Sequence, residues 1–361
     1  MIYHVIGLMS GSSLDGLDIA HVQLEETRGK WSYTLHHADC LPYSREWEHK
    51  LKHASTLHVS DFLRLHTAYG RYLGESVARF IAKHELAHKI HFVASHGHTV
   101  FHEPHHQTTF QLGDGAALAT AAGLPVINDL RAMDVAMGGQ GAPIVPIADK
   151  LLYRQYDYLL NIGGIANMTI WQNGQLIAFD VCAANQVLNI LAERMGHIMD
   201  SDGAIARSGI LLYDVLDTLN SANYYSALPP KSLSNEEAKD IVFPVLLEGE
   251  HNVPDMMHTA TKHIAQQVAL AAAKYPAGKD KATMLVTGGG AFNGFLVELL
   301  ARELTPLGID VTIPDADVVK FKEAIAMALI GTLRWREEVN VLSSVTGATA
   351  DSIGGALWMV G

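Results

Sequence analysis

The chain has 361 residues, is 48% hydrophobic and 18% charged, and carries a formal net charge of -12 at pH 7. That length suits two domains. The negative balance argues against a non-specific nucleic-acid or anionic-membrane surface, while local sites for anionic nucleotides remain open. Cys40 and Cys182 cannot build a disulfide framework and fit a reducing cytoplasm, and neither a secretory leader nor a run of about 20 apolar residues is visible.

The elements follow in order. Tyr3–Leu8, Gly16–Leu24 and Trp31–Ala38 read as a β-meander. Glu46–Leu51 and Ser60–Lys83 read as helices, the second with Phe62, Leu65, Tyr69, Leu73, Val77 and Phe80 at helical spacing and Ser60 or Asp61 as N-cap. His91–Ser95 is a short strand, Gly115–Ala122 an Ala-rich helix stopped by Gly123, and Val126-Ile127 another strand. Asn128–Pro146 is polar, rich in glycine, and suits a domain junction.

The pattern then restarts. Tyr158–Ile162 is a strand ending in Gly163-Gly164, followed by a hairpin of Ala166–Trp171 and Gln175–Asp180 around Asn173-Gly174. Gln186–Met195, Gly203–Asn220 and Asp255–Lys274 read as helices, the last with Met256, Ile264, Val268 and Leu270 on one side. Ala282–Thr287 is a strand entering Gly288-Gly289-Gly290. A helix Phe295–Thr305, a strand Val311–Ile313 and a helix Lys320–Val339 complete the chain order.

Three glycine turns stand out, each after a strand. Gly11-Ser12-Ser13-Leu14-Asp15-Gly16-Leu17-Asp18 lies between two strands and reads equally as a polar hairpin turn or as a phosphate cradle, with Asp15 and Asp18 as ligands for a hydrated Mg²⁺. Each of the later clusters also reads as an ordinary tight turn, and Gly163-Gly164, flanked by Asn161 and Asn167, is a second candidate for backbone amides around phosphate. Gly288–Gly290 with Asn293 is a third, where glycine lets a nucleotide lie against the backbone. Asp180, at the end of a strand, reads either as a general base or as a helix N-cap. The cluster His96, His98, His102, His105 and His106 reads either as solvated histidines or as a Zn²⁺ site, with His96 and His98 placed nearest a cleft. Arg131, beside Asp129 and Asp134, could clamp a substrate carboxylate or sit in a structural ion pair, and Glu323 near a helix start is equally ambiguous.

These residues together resemble the anhydro-N-acetylmuramic acid kinase family. The matching stretches are Met9–Asp18, Ser95–Thr99, Gln111–Asp114, Asp129–Arg131 with Asp134-Val135, Gly138–Pro143, Asn161–Asn167, Phe179-Asp180, Pro230–Ser232, Gly288–Gly290 with Asn293, Lys322–Ala324 and Ser344–Ala348. The resemblance implies an α/β protein of two RNase-H-like lobes, of the actin/Hsp70/sugar kinase type, with a nucleotide cleft between them. The lobes are expected at 1–127 and 128–340, with 341–361 returning to the first. It implies an ATP- and Mg²⁺-dependent cytoplasmic enzyme that opens 1,6-anhydro-N-acetylmuramic acid with water and phosphorylates O6, giving N-acetylmuramate 6-phosphate and ADP in cell-wall recycling. Its partners would be the sugar and ATP, with no nucleic acid and no membrane; a homodimer is an allowed assembly.

By the family pattern, residues Gly11 to Asp18, Asn161, Gly163, Gly164, Asn167, Gly288, Gly289, Gly290 and Asn293 would contact ATP. Asp180 would be the base. Ser95, His96, Gly97, His98, Thr99, Arg131, Asn185 and Glu323 would meet the sugar. The chain departs from that pattern at Val181–Ala184, where Thr-Gly-Pro-Gly is usual, at His98 in place of Gln, at Ser12 in place of Thr, and after Lys231-Ser232. The altered loop keeps two other readings in play: a kinase of another amino sugar, and an ATP-binding sensor without catalysis.

Overall fold

In the computed structural model, which describes residues 1–360 apart from 12, 13, 15, 173, 174, 230 and 249, the opening meander is present and longer than expected. Ile2–Ser10 (β1), Gly16–Thr27 (β2) and Lys30–Pro42 (β3) pair antiparallel in sequence order. Phe92–Ser95 (β4) joins β1 in parallel. His98–Glu103 (β5) and Thr108–Leu112 (β6) form a separate two-stranded sheet. Val126–Asn128 (β7) then lies parallel to β4.

The chain divides into two compact units, Met1–Leu152 with Phe321–Gly361, and Tyr153–Lys320. In the second unit, Tyr158–Ile162 (β8), Ile165–Gln172 (β9) and Gln175–Ala183 (β10) form another antiparallel meander. Ala282–Thr287 (β11) pairs in parallel with β8, and Ile309–Thr312 (β12) in parallel with β11. The strand orders are β3-β2-β1-β4-β7 and β10-β9-β8-β11-β12, so each unit repeats one RNase-H-like topology. Ala356–Trp358 (β13) closes the edge of the first sheet, antiparallel to β7.

The chain leaves the first unit after Leu152, not after 127, and returns to it at Phe321, not at 341. Its boundary differs because the polar stretch after β7 is tied into that unit: buried Asp134 accepts bonds from the Gly141 N–H (2.7 Å) and the Thr346 hydroxyl (2.7 Å). A short helix, Ala132–Ala136, interrupts the expected loop, and another, Pro146–Leu152, begins at its end.

Alternation along β1 sends Ile6 and Leu8 into a core with Leu65, Tyr69, Leu73, Val77 and Phe80 of the helix Val59–Lys83. That helix is N-capped by His58 without a side-chain bond, not by Ser60 or Asp61. The opposite face of β1 carries Gly7, where a Cβ would overlap the carbonyl oxygen of Ala324 in the helix Ala316–Trp335. A Cβ at Gly331 of the same helix would overlap the methyl of Ala94 in β4. Glycine therefore sets how near this helix comes to the sheet.

In the second unit, the expected helix Gly203–Asn220 is broken into Ala204–Ser208 and Tyr213–Asn220. Gly209 lies against the Pro254 carbonyl at the break. Leu270, placed inward from the sequence, is 52% exposed. The helix Asn235–Leu246 was not anticipated, although Ser234 and Glu237 form a capping box. The Asn173-Gly174 turn lies outside the described residues. Among the described residues, no helix is long and apolar enough to cross a membrane.

Two consequences are measurable. Replacing Gly7 with Ala forces backbone displacement at a packed interface, and a loss of about 2 kcal/mol or more is expected from chemical denaturation; an unchanged midpoint would show that the helix can retreat freely. Histidines give the second. His21 is held down to about 3 by burial, with His36 and His4 adding to the effect, and His4 and His37 are lowered mainly by burial. These groups bind protons less readily in the fold than in the unfolded chain, where uptake sets in below about pH 6.5. Stability is therefore full above that pH and falls as pH drops from about 6.5 toward the folded values, with buried His21 contributing most. Urea midpoints at pH 7.5 and 5.5 should differ in that direction; equal midpoints would contradict it.

Candidate active site

In the second unit the site grows from strand register. Residues paired directly across neighbouring strands share a face of the sheet. Asp180 of β10 pairs with Asn167 of β9, Asn167 with Asn161 of β8, and Asn161 with Thr287 of β11. Four polar side chains thus form one row at the end of the sheet. Gly163-Gly164 and Gly288-Gly289-Gly290 follow directly, because β8 and β11 run parallel and end side by side. Gly288 has φ 80°, and a Cβ there would lie 2.7 Å from the Ile162 carbonyl oxygen and 2.8 Å from Asn161 Oδ1. The side chain of Gly290's position is excluded by Ile162.

Asp180 sits where a bulge interrupts the β9–β10 ladder. Its Oδ2 accepts a bond from the Leu233 N–H at 2.9 Å. Its backbone N–H donates to the Lys231 carbonyl at 3.2 Å, and its carbonyl accepts from the Tyr224 hydroxyl at 2.7 Å. Burial pushes the Asp180 carboxyl above the usual range; the Leu233 bond and the Lys231 charge oppose that. The N-cap alternative does not describe this residue. The following helix, Asn185–Glu193, is capped by Ala184 without a side-chain bond. Sequence reasoning did not find Tyr224, Leu233 or Thr287, which join the site only through register and long-range bonds.

Asn185 is tied to the glycine turn: its Nδ2 donates to the Ile162 carbonyl at 3.1 Å and its N–H to the Gly163 carbonyl at 3.0 Å. Asn293 uses Oδ1 to cap the helix Gly294–Leu304 by accepting from the Leu296 N–H at 3.0 Å. Its side chain therefore has a structural task besides the expected nucleotide contact.

In the first unit, β4 delivers Ser95 and leads into His96, Gly97, His98 and Thr99. Gly97 adopts φ 71°, and its N–H donates to Ser95 Oγ at 3.2 Å. His96 Nδ1 lies 3.0 Å from the Gly97 carbonyl, and Arg131 Nε–H donates to His96 Nε2 at 2.9 Å. The carbonyl can only accept and the guanidinium only donate, so His96 is neutral with its proton on Nδ1. Burial, then the Arg131 charge, lowers its pKa to about 3. Burial lowers Arg131 itself to about 10, while the carboxylate of exposed Glu323 counteracts the shift. Arg131 is therefore coupled to His96 and Glu323; no ion pair with Asp129 or Asp134 is found among the described residues.

His98 is buried, with Nδ1 3.0 Å from Ser10 Oγ. Gln111 donates from Nε2 to Thr109 at 2.9 Å and more distantly to Thr99 at 3.5 Å. His102 meets Thr109, while the His105 and His106 rings touch at a tilt of 50° at the exposed hairpin end. Among the described residues, no group of three His, Cys, Asp or Glu side chains is arranged to hold a metal ion.

In the opening turn, Gly11 follows β1 directly, Leu14 takes φ 58°, and Gly16 and Leu17 begin β2 as buried residues. Asp18 pairs with Met9 and Cys40 in the sheet, and its charge is felt by the Tyr43 hydroxyl. Ser12, Ser13 and Asp15 lie outside the described residues, as does Pro230 of the stretch before Lys231.

A family model described as anhydro-N-acetylmuramic acid kinase matches residues 3–360. Relatives called anhydro-N-acetylmuramic acid kinase share this length. One from Francisella tularensis subsp. novicida (strain U112) is 32% identical, covering 98% of this chain and 98% of its own. One from Paramagnetospirillum magneticum (strain ATCC 700264 / AMB-1) is 33% identical, covering 97% and 98%. A third, from Salinibacter ruber (strain DSM 13855 / M31), is 33% identical, covering 99% and 96%. Matched in this way from one end to the other, the chain belongs to the anhydro-N-acetylmuramic acid kinase family.

Proposed function

We propose that this protein cleaves the intramolecular bridge of 1,6-anhydro-N-acetylmuramic acid with water and transfers the γ-phosphoryl of ATP to O6, yielding N-acetylmuramate 6-phosphate and ADP in the cytoplasm. Family membership supports the kinase class. The observation that carries the reading is Asp180, a carboxylate at a sheet end with one oxygen anchored and its pKa raised by burial.

A base of raised pKa is the stronger proton acceptor, which suits activation of a water molecule. Asp180 takes the proton as the water oxygen bonds to the anomeric carbon. The bond between that carbon and O6 breaks, O6 bonds to the γ-phosphorus, and ADP leaves. The Leu233 N–H fixes the carboxylate so that its other oxygen can meet the water. Arg131, steered by His96 and paired electrostatically with Glu323, is assigned to the sugar, together with Ser95–Thr99 and Asn185.

The glycine turns at Gly163–Asn167 and Gly288–Gly290, Asn293, and the opening turn from Gly11 to Asp18 are assigned to ATP, since glycine-rich turns suit backbone N–H donation to phosphate oxygens. Asp18 offers a hard carboxylate of the kind Mg²⁺ takes, with Asp15 as its companion in the assignment. The ion would neutralise charge on the phosphate oxygens. The unbroken match along the chain favours this reading over a different amino sugar or a non-catalytic sensor.

Mass spectrometry of the product formed from the anhydrosugar and ATP in ¹⁸O-water tests the reaction. The label should enter the sugar at C1 and not the phosphate. Unlabelled phosphosugar, or none, would overturn the hydrolytic step. Asp180→Asn should lower kcat by about 10²–10⁴-fold while nucleotide binding measured by calorimetry persists. In the parent protein, kcat/KM should fall as pH drops through the raised pKa of Asp180, so the acid limb should lie above the ordinary aspartate value of about 3.9. An unchanged rate in the variant would remove Asp180 from the chemistry.

A further inference from the structure

Four side chains from separate elements meet in the interior of the first unit. The Tyr43 hydroxyl, just beyond β3, donates to Ser10 Oγ at the end of β1 over 2.7 Å. The Tyr69 hydroxyl, from the helix Val59–Lys83, lies 2.6 Å from that of Tyr43. Ser10 Oγ lies 3.0 Å from His98 Nδ1. A phenol has one proton to give, and Tyr43 gives it to Ser10, so Tyr69 must donate to Tyr43. Ser10 Oγ accepts from Tyr43 and also interacts with the Tyr69 hydroxyl; its own proton is assigned to His98 Nδ1, 3.0 Å away. The chain runs one way: Tyr69 to Tyr43 to Ser10 to His98.

A neutral imidazole that accepts at Nδ1 carries its proton on Nε2. Burial supports each state in this chain. It raises Tyr43 to about 12 and Tyr69 further, so both phenols keep their protons, and it lowers His98, so the ring stays neutral. The neighbouring His96 has the opposite tautomer, and both of its nitrogens are engaged by Gly97 and Arg131. Among the described residues, no hydrogen bond is found at His98 Nε2, so its proton is a donor that the Ser95–Thr99 stretch can offer.

We propose that Ser10, Tyr43 and Tyr69 act as positioning residues that make His98 a one-way Nε2–H donor, and that this donor selects a carbonyl-type oxygen of the sugar. The partner identity rests on the function proposed above. On that substrate two groups have this chemistry, the acetamido carbonyl and the lactyl carboxylate. Both only accept, so a fixed donor favours them over a hydroxyl that could equally present its own proton.

The tautomer is read without sugar. In ¹⁵N spectra of the histidine-labelled protein, assigned by comparison with His98→Gln, Nδ1 of His98 should give a bare-nitrogen shift and Nε2 a protonated one. The reverse pattern would overturn the proposal. Tyr43→Phe, which keeps the ring, should mix the two forms; an unaltered pattern would remove Tyr43 and Tyr69 from the device. In steady-state kinetics His98→Ala should raise the sugar KM about tenfold with a smaller change in kcat, the scale of one buried hydrogen bond. His98→Gln, which supplies an amide donor, should recover most of that loss. Equal KM values in all three proteins would overturn the assignment.

Two analogues separate the acceptors: the anhydrosugar without the lactyl group and the one without the acetyl group. The His98→Ala penalty should vanish with whichever analogue lacks the partner, and persistence with both would refute a carbonyl-type acceptor. If the parent protein fails to phosphorylate the anhydrosugar at all, the sugar assignment falls with the proposed reaction. The tautomer measurement would still report on the buried chain alone.

Discussion

The first unit depends on a backbone contact. β1 and the helix Ala316–Trp335 touch at Gly7 and Ala324, with no room for a side chain on the strand. Ala324 follows Lys322 and Glu323, so the contact also fixes where these residues sit. Lys322 forms a buried ion pair with Asp149 at 2.8 Å, while exposed Glu323 faces the charge of Arg131. A buried pair is weak evidence for net stability, because desolvation offsets much of its attraction. Its effect here is on placement: one turn of helix is held against the strand by packing and by charge, and the carboxylate between these fixed points inherits their position. The same strand ends in Ser10 and enters the opening turn, so β1 links core packing to three groups of candidate site residues.

In the second unit the corresponding constraint is register. A slip of one residue between β9 and β10 would turn Asp180 to the other face of the sheet. The bulge beside Asp180 marks where the ladder changes register, and the segment Lys231–Leu233 grips the strand there through two hydrogen bonds. Beyond the bulge the chain can turn into the helix Asn185–Glu193, while Asn185 reaches back to the first glycine turn. The departures at Val181–Ala184 fall within this clasp. Val181, Cys182, Ala183 and Ala184 are all buried, so the end of β10, where a loop was expected, is held by packing of small apolar residues.

Much of this was legible in the chain. The meanders, the glycine turns after β8 and β11, and the strand position of Asp180 all follow from alternation and from glycine placement. The helices Ala132–Ala136 and Pro146–Leu152 were not legible, because five and seven residues are too short to show a helical period. The helix Asn235–Leu246 carried its signal in Ser234 and Glu237, but Pro244 inside it obscured the pattern. Ser10, Tyr43, Tyr69 and His98 lie far apart in sequence, and nothing local marks them as partners. The row from Asp180 to Thr287 likewise requires the pairing of four strands before it exists.

Desolvation acts in opposite directions on acids and bases, and the candidate residues of the two units show one case each. Around Arg131, a protonated His96 would place a second cation in contact with the first, and burial adds to that cost. The ring is therefore neutral and serves as an acceptor that aims the guanidinium. At Asp180 the same loss of water raises the carboxyl, making it more basic, while the Leu233 N–H and the Lys231 charge keep the ionised form accessible. Had the carboxylate accepted several backbone bonds, its basicity would have been lost; had it accepted none, it would have been held protonated. One anchoring N–H is the compromise. It leaves Asp180 oriented and still able to take up a proton.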